Sequence, residues 1–297
     1  MCLGGNVFGW TIDEQRSFEV LDAYVAAGGN FIDTADSYGR RGPGGAGESE
    51  RIIGRWMAAR GNRDRIVIAT KVGISPERPG LNAANVRAGA EASLQRLGTD
   101  RIDLYYAHRD DAETPLEETL TAFAELIEDG MVRYAAASNY SAARLEQALA
   151  LGERDGVASY VALQPEYNLL ERSYERELMA VCERGGLACI PFFALARGFL
   201  SGKYRRGGAA IESERAASVN EKYANERGWA ALDALDQIAA ARGVAVATVS
   251  LAWLRAQPTV LAPIASATSV EQLAELTASA SFELSPDELE RLDQVSR

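Results

Sequence analysis

The sequence is poor in the residues that bind metals and form covalent cross-links. Its 297 residues include three cysteines, Cys2, Cys182 and Cys189, and a single histidine. An odd and widely spaced set of three cysteines gives neither a disulfide framework nor the ligand spacing of a zinc site. The sequence therefore predicts no resident metal, and the lack of a disulfide framework favours a reducing compartment.

Long hydrophobic runs and an excess of positive charge are also missing. No apolar stretch approaches the roughly 18 residues that a membrane-spanning helix needs, and the first residues lack the pattern of a secretory signal. Lysine and arginine total 31 against 42 aspartates and glutamates, so the net charge is −11. Because nucleic acids and anionic membranes carry the same sign, neither is expected as a partner. We expect a cytoplasmic protein.

What the sequence does contain is a repeated alternation of short apolar runs and amphipathic stretches. The alternation predicts eight strand–helix units, which indicate a parallel sheet covered by helices. Eight units in a chain of this length favour one closed (β/α)8 TIM barrel over residues 1–297. The predicted strands are Cys2–Asn6, Asn30–Asp33, Ile66–Lys71, Ile102–His108, Val132–Ser138, Tyr160–Gln164, Ala188–Phe192 and Val260–Ile264.

Two other features bear on the fold. The main rival is a doubly wound α/β fold, but no Gly-x-Gly-x-x-Gly motif follows an early strand, which weakens it. The longest weakly patterned stretch is Gly202–Arg227, rich in charge, glycine and alanine. A stretch of this length without regular structure predicts either a functional lid or a mobile loop near the site.

Three of the predicted strands end in a polar side chain. Asp33, Lys71 and His108 each close a strand, and Tyr38 follows Asp33 by five residues. In a parallel barrel all strand carboxyl ends meet at the face that holds the active site. Each residue also has an ordinary explanation, as an ion pair, a structural histidine or one of 11 tyrosines. Their conjunction at separate strand ends is what predicts one polar cluster.

These four side chains together suit the reduction of a carbonyl group. Tyrosine is a poor acid near neutral pH, with an ordinary pKa of about 10, and a nearby lysine cation lowers that pKa by favouring the phenolate. Asp33 would hold and neutralise Lys71. A neutral His108 would donate a hydrogen bond to the substrate oxygen. The cluster thus predicts an oxyanion pocket with Tyr38 as proton donor, suited to hydride transfer.

The residues of seven segments, and the order of these segments, resemble those of the aldo-keto reductase family. The resemblance covers nearly the whole chain, and several ordered motifs make it specific. The matching segments are Gly29–Gly39, Ala69–Lys71, Asp103–His108, Ser138–Asn139, Gln164–Asn168, Gly198–Tyr204 and Ser266–Leu273.

This resemblance implies an α/β barrel that binds a nicotinamide dinucleotide without a Rossmann domain. By position, Tyr38 is the implied proton donor, Lys71 and Asp33 its tuning pair, and His108 the residue that orients the carbonyl. The implied activity is the reduction of an aldehyde or ketone, including a sugar, to an alcohol. Two alternatives stay open: a sugar or alcohol dehydrogenase running in the oxidative direction, and a non-catalytic nicotinamide redox sensor.

The resemblance also implies a set of cofactor-binding residues. They divide by the part of the dinucleotide that each would contact: the nicotinamide carboxamide, the nicotinamide ring, the pyrophosphate and the adenosine end. The carboxamide residues are Ser138, Asn139 and Gln164, and the ring residue is Phe192. The pyrophosphate residues are Leu195, Gly198, Leu200, Gly202 and Lys203. The adenosine residues are Ser266, Thr268, Gln272 and Glu275.

The adenosine segment departs from the family pattern. Many relatives place a cation around the 2′-phosphate, whereas Ser266, Ser269 and Gln272 stand in the corresponding run here. The helix N-terminus near Ser269 and the cations of Lys203, Arg205 or Arg206 are the candidate replacements. Because the family usually prefers NADPH, the resemblance implies NADPH as the cofactor, with NADH as the alternative.

The substrate end departs from the pattern as well. Arg109-Asp110-Asp111 follows His108 directly, where many relatives have an apolar or aromatic residue. With walls from Phe8, Trp10, Tyr106 and Phe193, these charges either suit a polar substrate such as a sugar or belong to a surface loop. A third enzymatic possibility makes Lys71 a Schiff-base nucleophile, but it leaves Asp33 and Tyr38 without a role.

Overall fold

Eight short parallel strands follow one another around a single sheet, each separated from the next by helices. The computed structural model describes residues 1–208, 211 and 216–297. The order of neighbouring strands is β8-β1-β2-β3-β4-β5-β6-β7. The strands are β1 (Cys2–Gly4), β2 (Phe31–Asp33), β3 (Val67–Val72), β4 (Ile102–Ala107), β5 (Val132–Ser138), β6 (Tyr160–Gln164), β7 (Ala188–Cys189) and β8 (Ile264–Ala265).

The sheet closes between β7 and the chain that enters β8. The amide of Cys189 donates to the carbonyl of Thr259 over 2.8 Å, and the amide of Leu261 donates back to Cys189 over 2.9 Å. The amide of Ile264 donates to Pro191 over 2.9 Å. These bonds satisfy the two sheet edges that would otherwise be open. The predicted (β/α)8 barrel is confirmed.

The last two strands are shorter than predicted. The strand predicted for Ala188–Phe192 is regular only at Ala188–Cys189, and the one predicted for Val260–Ile264 is regular at Ile264–Ala265. Pro191 and Pro263 interrupt these segments. Proline has no amide hydrogen to donate to a ladder, so pairing here consists of single bridges rather than continuous strands.

The helices that surround the sheet begin and end close to the predicted limits where the sequence is strongly periodic. The sequence predicts helices near Glu48–Arg60, Ala83–Leu97 and Ala142–Leu151, and all three are confirmed. The helices are α1 (Glu14–Ala26), α2 (Glu48–Arg60), α3 (Ala83–Leu97), α4 (Leu116–Glu128), α5 (Ala142–Leu151), α6 (Leu178–Gly185), α7 (Ala216–Tyr223), α8 (Glu226–Arg242), α9 (Val246–Arg255), α10 (Val270–Ala278) and α11 (Pro286–Ser296).

The stretch predicted as a lid or mobile loop, 202–227, contains one of these helices. Ala216–Tyr223 forms α7, which buries Val219 and Tyr223. Residues 209, 210 and 212–215 of the stretch lie outside the described part of the chain. Eight residues with only two buried apolar positions give a weak periodic signal, which is why the sequence did not indicate this helix.

Two layers of apolar packing hold the barrel together. The larger layer fills the space between the sheet and the helices, and the smaller fills the barrel interior around Tyr106 and Leu104. All three cysteines are buried and free, and burial raises the pKa of the Cys2 and Cys189 thiols. Among the described residues, no single helix is long and apolar enough to cross a membrane, and α8 and α9, which meet at 104°, meet that test only as a pair.

Candidate active site

Strand register brings the polar strand ends to one point. Asp33 of β2 pairs with Ala69 of β3, and Lys71 pairs with Tyr106 of β4. Ala69 and Tyr106 belong to the barrel interior. Paired residues of neighbouring strands face the same side of a sheet, so the side chains of Asp33 and Lys71 face inward at the carboxyl ends of their strands.

The ammonium of Lys71 is enclosed by three oxygen atoms. Nζ lies 2.7 Å from Oδ2 of Asp33, 2.6 Å from the carbonyl of Thr34 and 3.3 Å from the hydroxyl of Tyr38. The turn after β2, in which the Tyr38 amide donates to Ala35 over 3.1 Å, brings the tyrosine back over the lysine. The structure thus brings together three of the four residues that the sequence predicted as catalytic.

The electrostatics of this group keep the lysine charged. Burial lowers the pKa of Lys71, but Asp33 and Tyr38 act in the opposite direction and leave that pKa above its usual value. A cation 3.3 Å from the Tyr38 oxygen stabilises negative charge on that oxygen. The arrangement can therefore support the loss of a proton from the tyrosine.

His108, the fourth residue, lies at the edge of the same group. Its ring is 6.2 Å from that of Tyr38 at an interplanar angle of 75°. Burial, Lys71 and Arg109 hold the pKa of His108 well below its usual value, so the imidazole is neutral. Nδ1 is enclosed and has no hydrogen-bond partner. Because an unpaired N–H costs more to bury than a lone pair, we assign the proton to Nε2, which can donate to a carbonyl oxygen.

These side chains open into one large cavity at the carboxyl ends of the strands. Its volume is about 1440 Å³, and Asp33, Tyr38 and His108 lie in its wall. Ten of the thirteen predicted cofactor-binding residues also line it: Ser138, Asn139, Gln164, Phe192, Leu195, Gly198, Lys203, Ser266, Thr268 and Gln272.

The other three predicted cofactor residues lie outside the cavity wall. Leu200 is fully buried in the core. Gly202 has a φ of +85° and lies against Val246, where it ends a turn. Glu275 contributes its backbone carbonyl to a bond from Thr248. The resemblance identifies the segments that would contact the cofactor. It does not distinguish a residue that lines the cavity from a neighbour that supports the turn.

The predicted carboxamide site is a connected polar network. Ser138 donates to the carbonyl of Gln164 over 2.9 Å, and Asn139 donates to the carbonyl of His108 over 2.9 Å. The amide of Gln164 donates to Oδ1 of Asp33 over 2.9 Å. The network therefore links the predicted nicotinamide pocket directly to the carboxylate that holds Lys71.

The predicted phosphate region has a space that a side chain would fill. Gly198 adopts a φ of +99°, and a Cβ placed on it would lie 3.3 Å from Nζ of Lys203. Glycine allows this backbone conformation and a close approach to a phosphate. Arg205 and Arg206 instead pair with Asp236 and Glu226 on the surface, and neither arginine lines the cavity.

The adenosine region is built around the start of α10. Oε1 of Gln272 accepts from the amide and the hydroxyl of Thr268 over 3.0 and 2.9 Å. Ser266 donates to Oδ1 of Asn6 over 2.5 Å, and Ser269 caps the helix through the amide of Gln272. These bonds fix a polar wall at the N-terminus of a helix, where the backbone favours anions.

Several cavity residues were not singled out from the sequence. Arg40, Arg41 and Arg197 line the cavity, as do Ile74 and Ser218. The first two follow Tyr38 in a glycine-rich loop with no periodicity, and their nearness to Tyr38 was the only available signal. Ile74 belongs to a hairpin that follows β3, and Ser218 belongs to α7.

The predicted aromatic walls divide into two kinds. Trp10 and Phe193 line the cavity. Phe8 and Tyr106 are fully buried in the core instead. Only Tyr106 belongs to a strand. The directions of the other three side chains depend on irregular segments, so the sequence alone did not fix which aromatic residue reaches the cavity.

A second buried acidic group lies behind the loop that carries Tyr38. Glu50 accepts a bond from Thr70 over 2.6 Å and pairs with Arg96 at 2.5 Å. Asp36 is 8% exposed, and its Oδ1 has no hydrogen-bond partner. Burial and the charge of Glu50 raise the pKa of Asp36 to about 7. A neutral carboxyl thus supports the Tyr38 loop from beneath at low pH.

Comparisons with known proteins agree with this architecture. The model of the aldo/keto reductase family matches residues 1–297. The uncharacterized oxidoreductase YrpG of Bacillus subtilis is 33% identical over 99% of this chain and 91% of its own length. Norsolorinic acid reductase stcV of Emericella nidulans is 32% identical over 99% of this chain and 77% of its own.

A third relative is named for a different role. A probable voltage-gated potassium channel subunit beta of Oryza sativa is 33% identical over 90% of this chain and 83% of its own. The match of the family model over the full sequence, together with these relatives, agrees with the resemblance in the sequence. The chain belongs to the aldo/keto reductase family, whose members are NAD(P)-dependent oxidoreductases of carbonyl compounds, and it is an enzyme of that class.

Proposed function

We propose that this enzyme reduces an aldehyde or ketone to an alcohol, with NADPH as the hydride donor and Tyr38 as the proton donor. The observation that carries the proposal is the enclosed ammonium of Lys71, which lies between Asp33 at 2.7 Å and the Tyr38 hydroxyl at 3.3 Å. This hydroxyl belongs to a residue in the wall of the large cavity. Proton transfer by a positioned side chain accelerates such reactions by about 10²–10⁴-fold.

Each residue of the cluster has a separate task in this proposal. Tyr38 gives its proton to the carbonyl oxygen as negative charge develops there. Lys71 stabilises the phenolate that remains, and Asp33 holds Lys71 in place over 2.7 Å. His108 donates from Nε2 to the same substrate oxygen and orients the carbonyl. The cofactor supplies the hydride that reaches the carbonyl carbon.

The residues present fit a nicotinamide dinucleotide along the length of the cavity. Ser138, Asn139 and Gln164 offer the polar groups that an amide requires, and Phe192 offers a flat apolar surface beside them. The space beside Gly198, next to the Lys203 ammonium, suits a pyrophosphate.

NADPH remains the first choice of cofactor for electrostatic reasons. Lys203 and Arg197 line the cavity, and the capped start of α10 adds backbone donors. A 2′-phosphate is best held by charge-assisted bonds. NADH is the alternative, because Ser266, Thr268 and Gln272 are uncharged.

The similarity to a probable channel subunit favours a second candidate, a nicotinamide redox sensor with little turnover. A third is the reverse reaction, the oxidation of an alcohol or sugar. All three candidates use the same cofactor site, so cofactor binding alone does not separate them.

The first experiment titrates the purified protein with NADPH and, separately, with NADH, following tryptophan fluorescence. Trp10 lies in the cavity wall, so its emission should change when a nucleotide binds. Reduction of a set of aldehydes is then followed by the loss of NADPH absorbance. We expect micromolar binding of NADPH and steady turnover. Binding without turnover in either direction would favour the sensor, and binding of neither nucleotide would overturn the proposal.

A further inference from the structure

Three arginines lie at the end of the cavity that holds the predicted catalytic residues. Arg40 and Arg41 follow Tyr38 in the loop after β2, and Arg109 follows His108 after β4. All three side chains are exposed. Within the described residues none of them forms an ion pair, and the guanidinium of Arg41 lies 5.4 Å from the ring centroid of Trp10. Three exposed guanidinium groups that form no ion pair among the described residues therefore line the cavity next to Tyr38 and His108 in the sequence.

The acidic residues next to Arg109 do not neutralise it. Asp110 accepts two bonds from Arg144, at 2.9 and 3.1 Å. Asp111 accepts from the hydroxyl of Thr114 over 2.7 Å and from the amide of Leu81 over 2.8 Å. Both carboxylates thus hold the loop together. Of the charged run Arg109-Asp110-Asp111, the two aspartates are structural and only Arg109 lies in the cavity wall.

The remaining charges of the cavity leave an excess of positive charge at this end. Among its described lining residues, Asp33 is the only carboxylate, and it is used by Lys71 and Gln164. Lys203 belongs to the predicted phosphate region, and Arg197 directly precedes Gly198 of the same region. The chain as a whole carries −11, so a local cluster of three arginines in an acidic protein focuses anions at one place.

We infer that the substrate is an anion: an aldehyde or ketone with an apolar, preferably aromatic, body and a carboxylate held by Arg40, Arg41 and Arg109. This inference rests on the proposed function. The guanidinium fork matches the two oxygens of a carboxylate. Trp10, Ile74 and Phe193 supply apolar surface in the same wall. A neutral sugar would leave three guanidinium groups without a counter-charge.

The test compares two substrates of nearly the same shape, 4-carboxybenzaldehyde and its methyl ester. Values of kcat/KM are measured with NADPH, and the Kd of each compound is measured by calorimetry without turnover. We expect a preference of at least 10-fold for the carboxylate, which falls as salt is raised. Replacing Arg109 or Arg41 with glutamine should reduce this preference at least 10-fold, mainly through KM, and Arg109→Lys should restore part of it.

A matched control is available at the opposite end of the barrel. Arg65 is exposed, forms no ion pair among the described residues and precedes β3, away from the cavity. Arg65→Gln should leave the preference as it is in the unchanged protein. The control separates a local contact from the loss of one positive charge anywhere on the surface.

The outcomes distinguish this inference from the function on which it rests. Equal kcat/KM and equal Kd for the acid and the ester would overturn the anion site and leave the reductase intact. Selective binding of the acid without any reduction would support the anion site and overturn the reductase. Equal losses with both compounds in the glutamine variants would assign the arginines a structural role and overturn the inference.

Discussion

The ammonium of Lys71 lies 2.7 Å from Oδ2 of Asp33, and both side chains are buried. The Lys71 side chain is fully buried and that of Asp33 is 3% exposed, so each charge depends on the other for its stabilisation. The removal of one partner from a buried pair is more costly than the removal of both. The pair is therefore both a structural element of the barrel and the centre of the proposed chemistry.

Lys71→Met should lower the free energy of unfolding by about 3–5 kcal/mol, because Asp33 is left buried without a counter-charge. Urea unfolding at pH 7.5 measures the loss. The double variant Lys71→Met with Asp33→Asn should recover part of it, while carbonyl reduction stays lost in both. A double variant that is no more stable than the single one would contradict the account of the ion pair.

Tyr38→Phe should reduce kcat by about 10²–10⁴-fold, since the proposed proton donor is removed. The phenyl ring keeps the shape of the wall, so the Kd of NADPH should change by less than about 3-fold. This limit corresponds to roughly half of the 1.4 kcal/mol that changes a Kd tenfold. Pre-steady-state and fluorescence measurements give the two quantities. Turnover close to that of the unchanged protein would remove Tyr38 from the proposed role.

His108 should make the protein less stable in mild acid. Burial holds its pKa in the folded protein well below the usual 6.5, so the unfolded chain binds the proton first. Stability is complete above pH 6.5 and falls as the pH decreases below it, by up to about 1.4 kcal/mol per pH unit. His108→Gln should remove this loss. The free energy of unfolding is measured between pH 7.5 and 5 for both proteins. The same dependence on pH in both would contradict the role of His108.

Asp36 should have the opposite linkage. Its pKa is raised from 3.8 to about 7 by burial and Glu50, so the folded protein retains a proton that the unfolded chain loses. Its contribution is complete below pH 3.8 and is lost as the pH rises to 7, by at most about 4 kcal/mol. Asp36→Asn should therefore gain stability relative to the unchanged protein as the pH increases. Asp100→Asn, at an exposed site, is the control that should show no such gain.

Much of the site could be predicted because the carboxyl ends of all strands in a parallel barrel lie at one face. Asp33, Lys71 and His108 each follow an apolar run, and the topology places such residues together whatever their distance along the chain. Tyr38 was harder to infer, since its position depends on a turn. The chemistry of the cluster and the family resemblance both predict its role, and the structure places its hydroxyl 3.3 Å from the Lys71 ammonium.

The parts that could not be predicted depend on loops and on the direction of single side chains. Arg40 and Arg41 lie in a segment with no periodicity, where charge alone does not indicate a direction. The charges after His108 looked equivalent in the sequence, yet Arg144 and Thr114 take up the two carboxylates and leave Arg109 in the cavity wall. Such partners come from other elements, and only the folded structure brings them together.

The burial of every cysteine has a consequence for an enzyme that acts on carbonyl compounds, which are electrophiles. Cys2, Cys182 and Cys189 are each 0% exposed, and burial raises the pKa of each thiol. Thiolates are the form that attacks electrophiles, so the folded protein presents no nucleophilic sulfur to its own substrates. Alkylation by iodoacetamide should then require unfolding that exposes the thiols, so the rate of alkylation measures that unfolding.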